Sequence, residues 1–441
     1  MAPVETRRSA DVPIAPVTLE ESGLNIDLVT QLVVKTLHFA GTLTGVELAE
    51  RLGVAFPILE PSLDQLKWQA HCEIVGAAAV GAPSYKYRIT DAGRNRAAVF
   101  LRDNHYVGKA PVPLAQYRAY MESFRERVKL HISPERVRKA FSHLVLSDRV
   151  LDQLGPAICS GHSLFVYGPP GNGKTVISQA IGNLLEGELA IPYALEVEGA
   201  IIRLFDPVSH EAVPAVSQEN GTTLDKGRGP DGRWIECKRP TLTVGGELTL
   251  ESLDLTFNRS TGFYHSPVQL LANGGVLVID DFGRQRCVPR DLLNRWIVPL
   301  ESRVDYLTLQ TGLKFEVPFV VLVVFATNIK PAELVDEAFL RRIHYKVFAE
   351  SPTARDFTQI FQNYCERAGV DFDRHVLDGL LRDVLYPRKI QLRGCQPRDL
   401  IDQALALAEY RGEPRRLTPV LLEAACDSYF VDDREAPIVH A

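Results

Sequence analysis

The sequence predicts an α/β fold: a parallel sheet flanked by helices, followed by a helical C-terminal segment and preceded by a smaller α+β domain. Three observations carry that expectation. The octapeptide Gly168-Pro169-Pro170-Gly171-Asn172-Gly173-Lys174-Thr175 fits the phosphate-loop pattern G-x-x-x-x-G-K-[ST] at every defined position. It stands between a strand-like run, Ser163 to Tyr167, and a stretch with helical apolar spacing, Val176 to Leu185. Two further runs, Val276 to Ile279 and Phe319 to Phe325, are short and continuously apolar, as strands covered on both faces must be. The first closes on Asp280-Asp281 and the second on Ala326-Thr327-Asn328.

Composition narrows the class. At 441 residues the chain exceeds one ordinary domain, and 46% apolar with 24% charged residues is globular and core-forming. No apolar run is long enough to span a bilayer, so no membrane span is expected. Seven cysteines are scattered, with no Cys-x-x-Cys pair and no histidine at metal spacing, which favours free thiols in a reducing cytoplasm. A net charge of −6 argues against wholesale electrostatic capture of nucleic acid.

In chain order, residues 1–22 are rich in Pro, Ala, Val and charge and read as a flexible tail rather than a signal peptide. Residues 23–108 read as one unit, and the segments that follow make it resemble a winged-helix domain. Ile26 to Val34 has helical spacing, Leu43 to Val54 looks like the first helix and turn of a helix-turn-helix, and Ile58 to Trp68 is the third helix. Ser84 to Arg94 resembles a wing strand with its closing turn. Over residues 24–100 seven basic side chains balance seven acidic ones, and the third helix sets Glu60 and Asp64 against a single Lys67. DNA readers show a basic face, so a protein-docking role is preferred here.

Residues 109–140 are a linker and helix. Ala110-Pro111-Val112-Pro113 is extended because each proline restricts its own φ and the residue before it. The basic bias that follows (Arg118, Arg125, Arg127, Lys129, Arg136, Arg138, Lys139) is read as a solvated helix face. Residues 141–348 hold the phosphate loop and both carboxylate-ended runs, with a β-rich insertion near 198–265. Within that insertion Arg233 to Cys237 reads as a strand and Gly245 to Leu253 as the start of a helix. Residues 349–432 read as four helices, about 353–368, 371–384, 397–411 and 418–430, and 433–441 as a tail.

The phosphate loop dictates its chemistry. Glycines let the backbone wrap a phosphate chain, while amide N–H groups and the helix N-terminus supply positive potential along Gly168 to Val176. Lys174 reaches the β/γ-phosphates and the Thr175 hydroxyl is suited to ligate Mg²⁺. A strand ending in Asp280 beside the loop would hold Mg²⁺ through water, and Asp281 is the candidate for polarising an attacking water. Asn328 is where a polar side chain could sense the γ-phosphate.

Taken together, the phosphate loop, Ile279-Asp280-Asp281, Ala326-Thr327-Asn328, Ala338-Phe339-Leu340-Arg341-Arg342 and Pro397-Arg398-Asp399-Leu400 resemble the AAA+ ATPases, over about Phe141 to Phe430. The resemblance implies a P-loop core with a C-terminal helical lid. It makes Lys174 and Thr175 the Walker A pair, Asp280 and Asp281 the Walker B pair, Asn328 sensor 1 and Arg398 sensor 2. Arg342, with Arg341 as second candidate, would be the arginine finger reaching a neighbouring subunit's nucleotide. Arg303 to Gln310 and Leu313 to Val317, flanking Thr311-Gly312, resemble the hairpin before sensor 1 in MoxR-like and related branches, as does Ala272-Asn273-Gly274-Gly275 before the Walker B strand. Gly262 to His265 resembles the aromatic loop that such rings point into their pore.

One departure matters. The family usually has Glu where this chain has Asp281, and a side chain shorter by one methylene must hold its water closer or turn over more slowly. The resemblance implies ATP and Mg²⁺ as cofactors, hydrolysis to ADP and phosphate, self-assembly into a ring expected to be hexameric, and remodelling of a protein client. Two alternatives stand beside it. One is a nucleic-acid-linked ATPase using the N-terminal domain on DNA; the other is a slow nucleotide-gated scaffold, which Asp281 would suit.

Overall fold

A computed structural model describes residues 12–128, 132–214, 228–334 and 337–430 of the chain. The expectations for residues 1–11, Lys129, Asp336 and the tail from 433 lie outside them, as does 215–227 within the β-rich segment. The chain divides into two compact units, each drawn from several stretches: Met1–Leu130, Leu185–Val278 and Gln285–Val323 in the first, His131–Leu184, Ile279–Arg284 and Val324–Ala441 in the second.

The first unit opens with a set of helices around a small sheet. Ile26–Ala40, Gly45–Leu52 and Phe56–Trp68 are helices, and Thr42–Thr44, Tyr85–Ile89 and Cys72–Ala77 are antiparallel strands in that spatial order. Local chemistry explains the boundaries. Thr44 and Glu47 form a reciprocal capping box at the start of Gly45–Leu52, and Gly53, at φ +69°, ends that helix in the left-handed region. Val33, Leu48, Leu52, Ile58, Leu63, Leu66 and Tyr87 are buried in one cluster. Residues 12–22, within the stretch expected to be a tail, carry regular structure. Ile14 bridges Pro230, and Leu19–Ser22 is a short helix capped by the Thr18 hydroxyl. The physical reason is Arg233, a guanidinium 1% exposed that pairs with Asp231 at 2.8 Å and donates to the Ser22 carbonyl at 3.0 Å.

The β-rich part of this unit is a mixed sheet in the order Thr256–Asn258, Phe263–His265, Ala200–Arg203, Ala194–Val197, Val112–Pro113. Beside it stand the antiparallel pair Glu188–Pro192 with Trp234–Lys238 and the hairpin Val304–Thr308 with Lys314–Pro318. Tyr117 and Tyr120, on the helix Leu114–Arg127, pack on Trp234. Two expectations fail here. Gly245 to Leu253 forms no α-helix and yields only a 3₁₀ turn at Glu251–Leu253, because side chains bond the local backbone instead. The Glu247 carboxylate accepts from the Gly245 N–H, and Thr249 and Ser252 bond each other. Likewise Phe263 and Tyr264 sit in a paired strand rather than a loop, with Tyr264 6% exposed and its hydroxyl accepting from the Gln310 N–H.

The strands Val276–Ile279 and Leu322–Thr327 run from the first unit into the second along the chain. Within the second, Leu322–Thr327 pairs parallel with Leu164–Tyr167, from Val324↔Leu164 to Thr327↔Tyr167. Leu164–Tyr167 in turn pairs parallel with Tyr345–Phe348. Phe165, Val166, Val324, Phe325 and Ala326 are fully buried, which accounts for the unbroken apolar runs. Helices Asp148–Ser160 and Lys174–Leu184 lie before and after the phosphate-loop strand in sequence. The C-terminal part is helical: Ala354–Ala368 behind a Thr353–Asp356 capping box, Arg374–Gly379, Gln396–Arg411 and Pro419–Tyr429. The expected helix 371–384 starts at Arg374 and passes into a π-helical turn, Leu380–Leu385.

Candidate functional site

The site is built within the second unit. Between the strand Leu164–Tyr167 and the helix Lys174–Leu184, three glycines take backbone conformations that side chains rarely adopt: Gly168 at φ +149°, Gly171 at +80° and Gly173 at +74°. A Cβ on Gly168 would stand 2.5 Å from the Ala349 carbonyl oxygen, and one on Gly171 2.5 Å from Cys395 Sγ. The motif glycines are therefore required by shape. Lys174 is 8% exposed, and its ammonium donates to the Pro169 carbonyl at 2.8 Å. Burial pulls this ammonium below the ordinary lysine range, while the Asp281 and Asp280 carboxylates act to hold it charged and Arg393 works against it.

The two acidic residues meet the loop directly. The Thr175 hydroxyl donates to Asp280 Oδ2 at 2.8 Å, joining groups 105 positions apart. Asp280 Oδ1 also accepts the Asp281 N–H at 3.0 Å. Asp281 itself sits at φ +47°, and Asn328 Nδ2 donates to its Oδ1 at 3.1 Å. Thr327 anchors the end of its strand, donating to the Phe282 carbonyl and accepting the Ile329 N–H. Thr175 and Asp280 present hard oxygen ligands of the kind Mg²⁺ requires, so the donor set fits that ion.

The helical segment closes on the loop from the other side. Cys395 N–H donates to the Gly171 carbonyl at 2.8 Å, Gly394 N–H to Asn172 Oδ1 at 3.3 Å, and Arg393 Nη1 to the Pro170 carbonyl at 2.8 Å. Asn172 also donates to Ser351 Oγ at 3.2 Å. Next to these contacts lies a pocket of about 280 Å³. Its walls include Leu144, Leu146, Val176, Ile177 and Ile360, with Asn363 and Arg398 among its polar lining. An apolar slot with a few polar groups, opening beside a phosphate loop, suits a planar base and its sugar.

Of the residues the sequence singled out, Thr175, Asp280, Asp281 and Asn328 form one hydrogen-bonded chain, and both carboxylates act electrostatically on the Lys174 ammonium. Val176 and Arg398 line the pocket, and the Arg398 guanidinium pairs with Asp399 at 2.8 Å. Arg341 and Arg342 lie in the turn after the short helix Glu337–Leu340, where Arg341 reaches Glu337 at 3.4 Å. The sequence reading passed over Arg393 and the segment His143 to Leu146. Leu144, Val145 and Leu146 are ordinary apolar residues without a motif. Arg393 carries one usable signal, a cation beside a glycine just ahead of the helix that begins at Gln396.

Residues 353–428 match a family described as "Domain of unknown function (DUF8689)". No curated protein sequence matches the chain. Among solved structures, NtrX from Brucella abortus in complex with ADP aligns at 16% identity and a TM-score of 0.39, covering 66% of this chain and 57% of that one. The ATP complex of the same protein aligns at 17% identity and 0.38, covering 68% and 61%. RuvB from Thermotoga maritima, described as a Holliday junction branch migration motor, aligns at 14% identity and 0.35, covering 70% and 74%. The chain spans less than two thirds of the length of the NtrX chains it matches. Among the described residues no helix is long and apolar enough to cross a membrane.

Proposed function

We propose that the chain is an AAA+-type ATPase that binds Mg-ATP and hydrolyses it to ADP and phosphate. The observation that carries this reading is the Thr175–Asp280 hydrogen bond of 2.8 Å beside the buried Lys174. The bond brings together a loop hydroxyl and a strand-end carboxylate 105 positions apart, the two oxygen donors that a shared Mg²⁺ would use. That ion would neutralise charge on the β- and γ-phosphates. The protein groups then divide the remaining work. The loop amides and Lys174 bind phosphate oxygens, Asp281 accepts the proton of the attacking water, and Asn328, already bonded to Asp281, orients that carboxylate.

Assembly and client belong to the same proposal. Subunits form a ring in which Arg342, or Arg341 in its place, reaches the nucleotide of the neighbour. The winged-helix-like segment recruits a protein, which its even balance of charge supports over DNA. The decisive experiment is ATP binding and phosphate release by the purified chain with and without Lys174→Ala. Binding and turnover lost together in the variant support the reading; equal binding by both proteins refutes it.

A further inference from the structure

One cation of the site has no place in the motif pattern. Arg393 lies in the turn before the helix Gln396–Arg411, and its backbone N–H is fixed by Gln396 Oε1 at 2.9 Å. Its guanidinium donates to the Pro170 carbonyl, while the Lys174 ammonium donates to the preceding carbonyl, Pro169, each at 2.8 Å. The two cations thus rest on adjacent carbonyls of one loop. A neutral carbonyl is the weaker partner for either, since a charged N–H···O⁻ bond is roughly twice as strong as one between neutral groups. The planar fork of arginine also matches phosphate oxygens bidentately. Gly394 and Cys395 bond the loop through their backbone, so the arginine is delivered to it by a tethered turn rather than a free one.

We propose that Arg393 is a polyphosphate-binding residue that exchanges the Pro170 carbonyl for a phosphate oxygen of bound nucleotide. Its position is separate from that of Arg398, which is held by Asp399 and lines the neighbouring pocket. The exchange makes the lid turn at 393–395 respond to the phosphate chain itself. This rests on the nucleotide-site reading given above.

The test compares ATP and ADP dissociation constants of the full chain, by calorimetry, for wild type, Arg393→Gln, Arg393→Lys and Lys174→Ala. Glutamine keeps a donor for the Pro170 carbonyl but removes the charge, so a residue that only tethered the lid would tolerate it. The expected result is about tenfold or greater weakening of both nucleotides in Arg393→Gln, with most affinity kept in Arg393→Lys. Unchanged affinity in Arg393→Gln, or equal weakening in both variants, overturns the inference alone. Failure of wild type to bind ATP, or undiminished binding by Lys174→Ala, overturns the nucleotide reading and this inference with it.

Discussion

Asp281 combines two properties that belong together. Its φ of +47° lies in the left-handed region, which asparagine and aspartate tolerate better than other side chains. Its carboxylate is held by Asn328 at 3.1 Å and acts electrostatically on the Lys174 ammonium of the loop. Asp281→Asn keeps the backbone preference and nearly the same volume. The variant should bind ATP normally and unfold within about 0.5 kcal/mol of wild type. Its phosphate release should fall by roughly 10²- to 10⁴-fold, the usual worth of a positioned base. Thermal unfolding beside a turnover assay checks all three. A loss of turnover no larger than a few-fold would remove Asp281 from the base role. The meeting of Thr175 with Asp280 was legible because the phosphate-loop pattern fixes Thr175 and a continuously apolar strand closes on Asp280. Arg393 was not, since an arginine before a helix is common and only the fold brings it to Pro170.

At the scale of the element, apolar period decided what could be read. The fully buried strands at 164–167 and 322–327 announced themselves, and so did the alternating hairpin at 304–318. The face of that hairpin was less legible. Asp305 and Leu307 point inward while Tyr306 is exposed, the reverse of what hydrophobicity suggests for the polar member. Asp305 is 1% exposed because Arg295 meets it at 2.6 Å and Gln269 at 3.0 Å, partners that lie elsewhere in the sequence. Asp305→Ala would leave Arg295 without its main counter-charge and Gln269 Nε2 without one of its two acceptors. The expected cost is about 2–3 kcal/mol of unfolding free energy, below that of a fully buried pair because Arg295 is partly open to solvent. Chemical denaturation measures it, and a change under about 0.5 kcal/mol would mean the pair is structurally neutral. Gly245 to Leu253 and Phe263 to His265 were misread for a related reason. Local side-chain bonds and strand partners distant in sequence override a pattern only a few residues long.

For the whole molecule, the sequence suggested consecutive domains, whereas the first unit gathers three separate stretches and the second three others. Such interleaving depends on contacts between distant segments, which no local period encodes. Oligomeric function is the other property of this scale, and the proposed ring makes a sharp prediction about it. In a heterologous ring each site draws its base from one subunit and its arginine from the next. Asp281→Asn lacks the base but keeps Arg342; Arg342→Ala lacks the arginine but keeps Asp281. Each protein alone should bind ATP and turn it over at no more than a few per cent of the wild-type rate, in line with the loss of a base or an arginine finger. Mixed in equal amounts, an Arg342→Ala subunit followed by an Asp281→Asn subunit forms one complete site. Random mixing makes about a quarter of all sites complete, so turnover should return to that order of the wild-type value. The same assay with Arg341→Ala in place of Arg342→Ala tells which arginine crosses the interface. An arginine acting within its own subunit would give no recovery at any mixing ratio, because every base-competent subunit would still lack it.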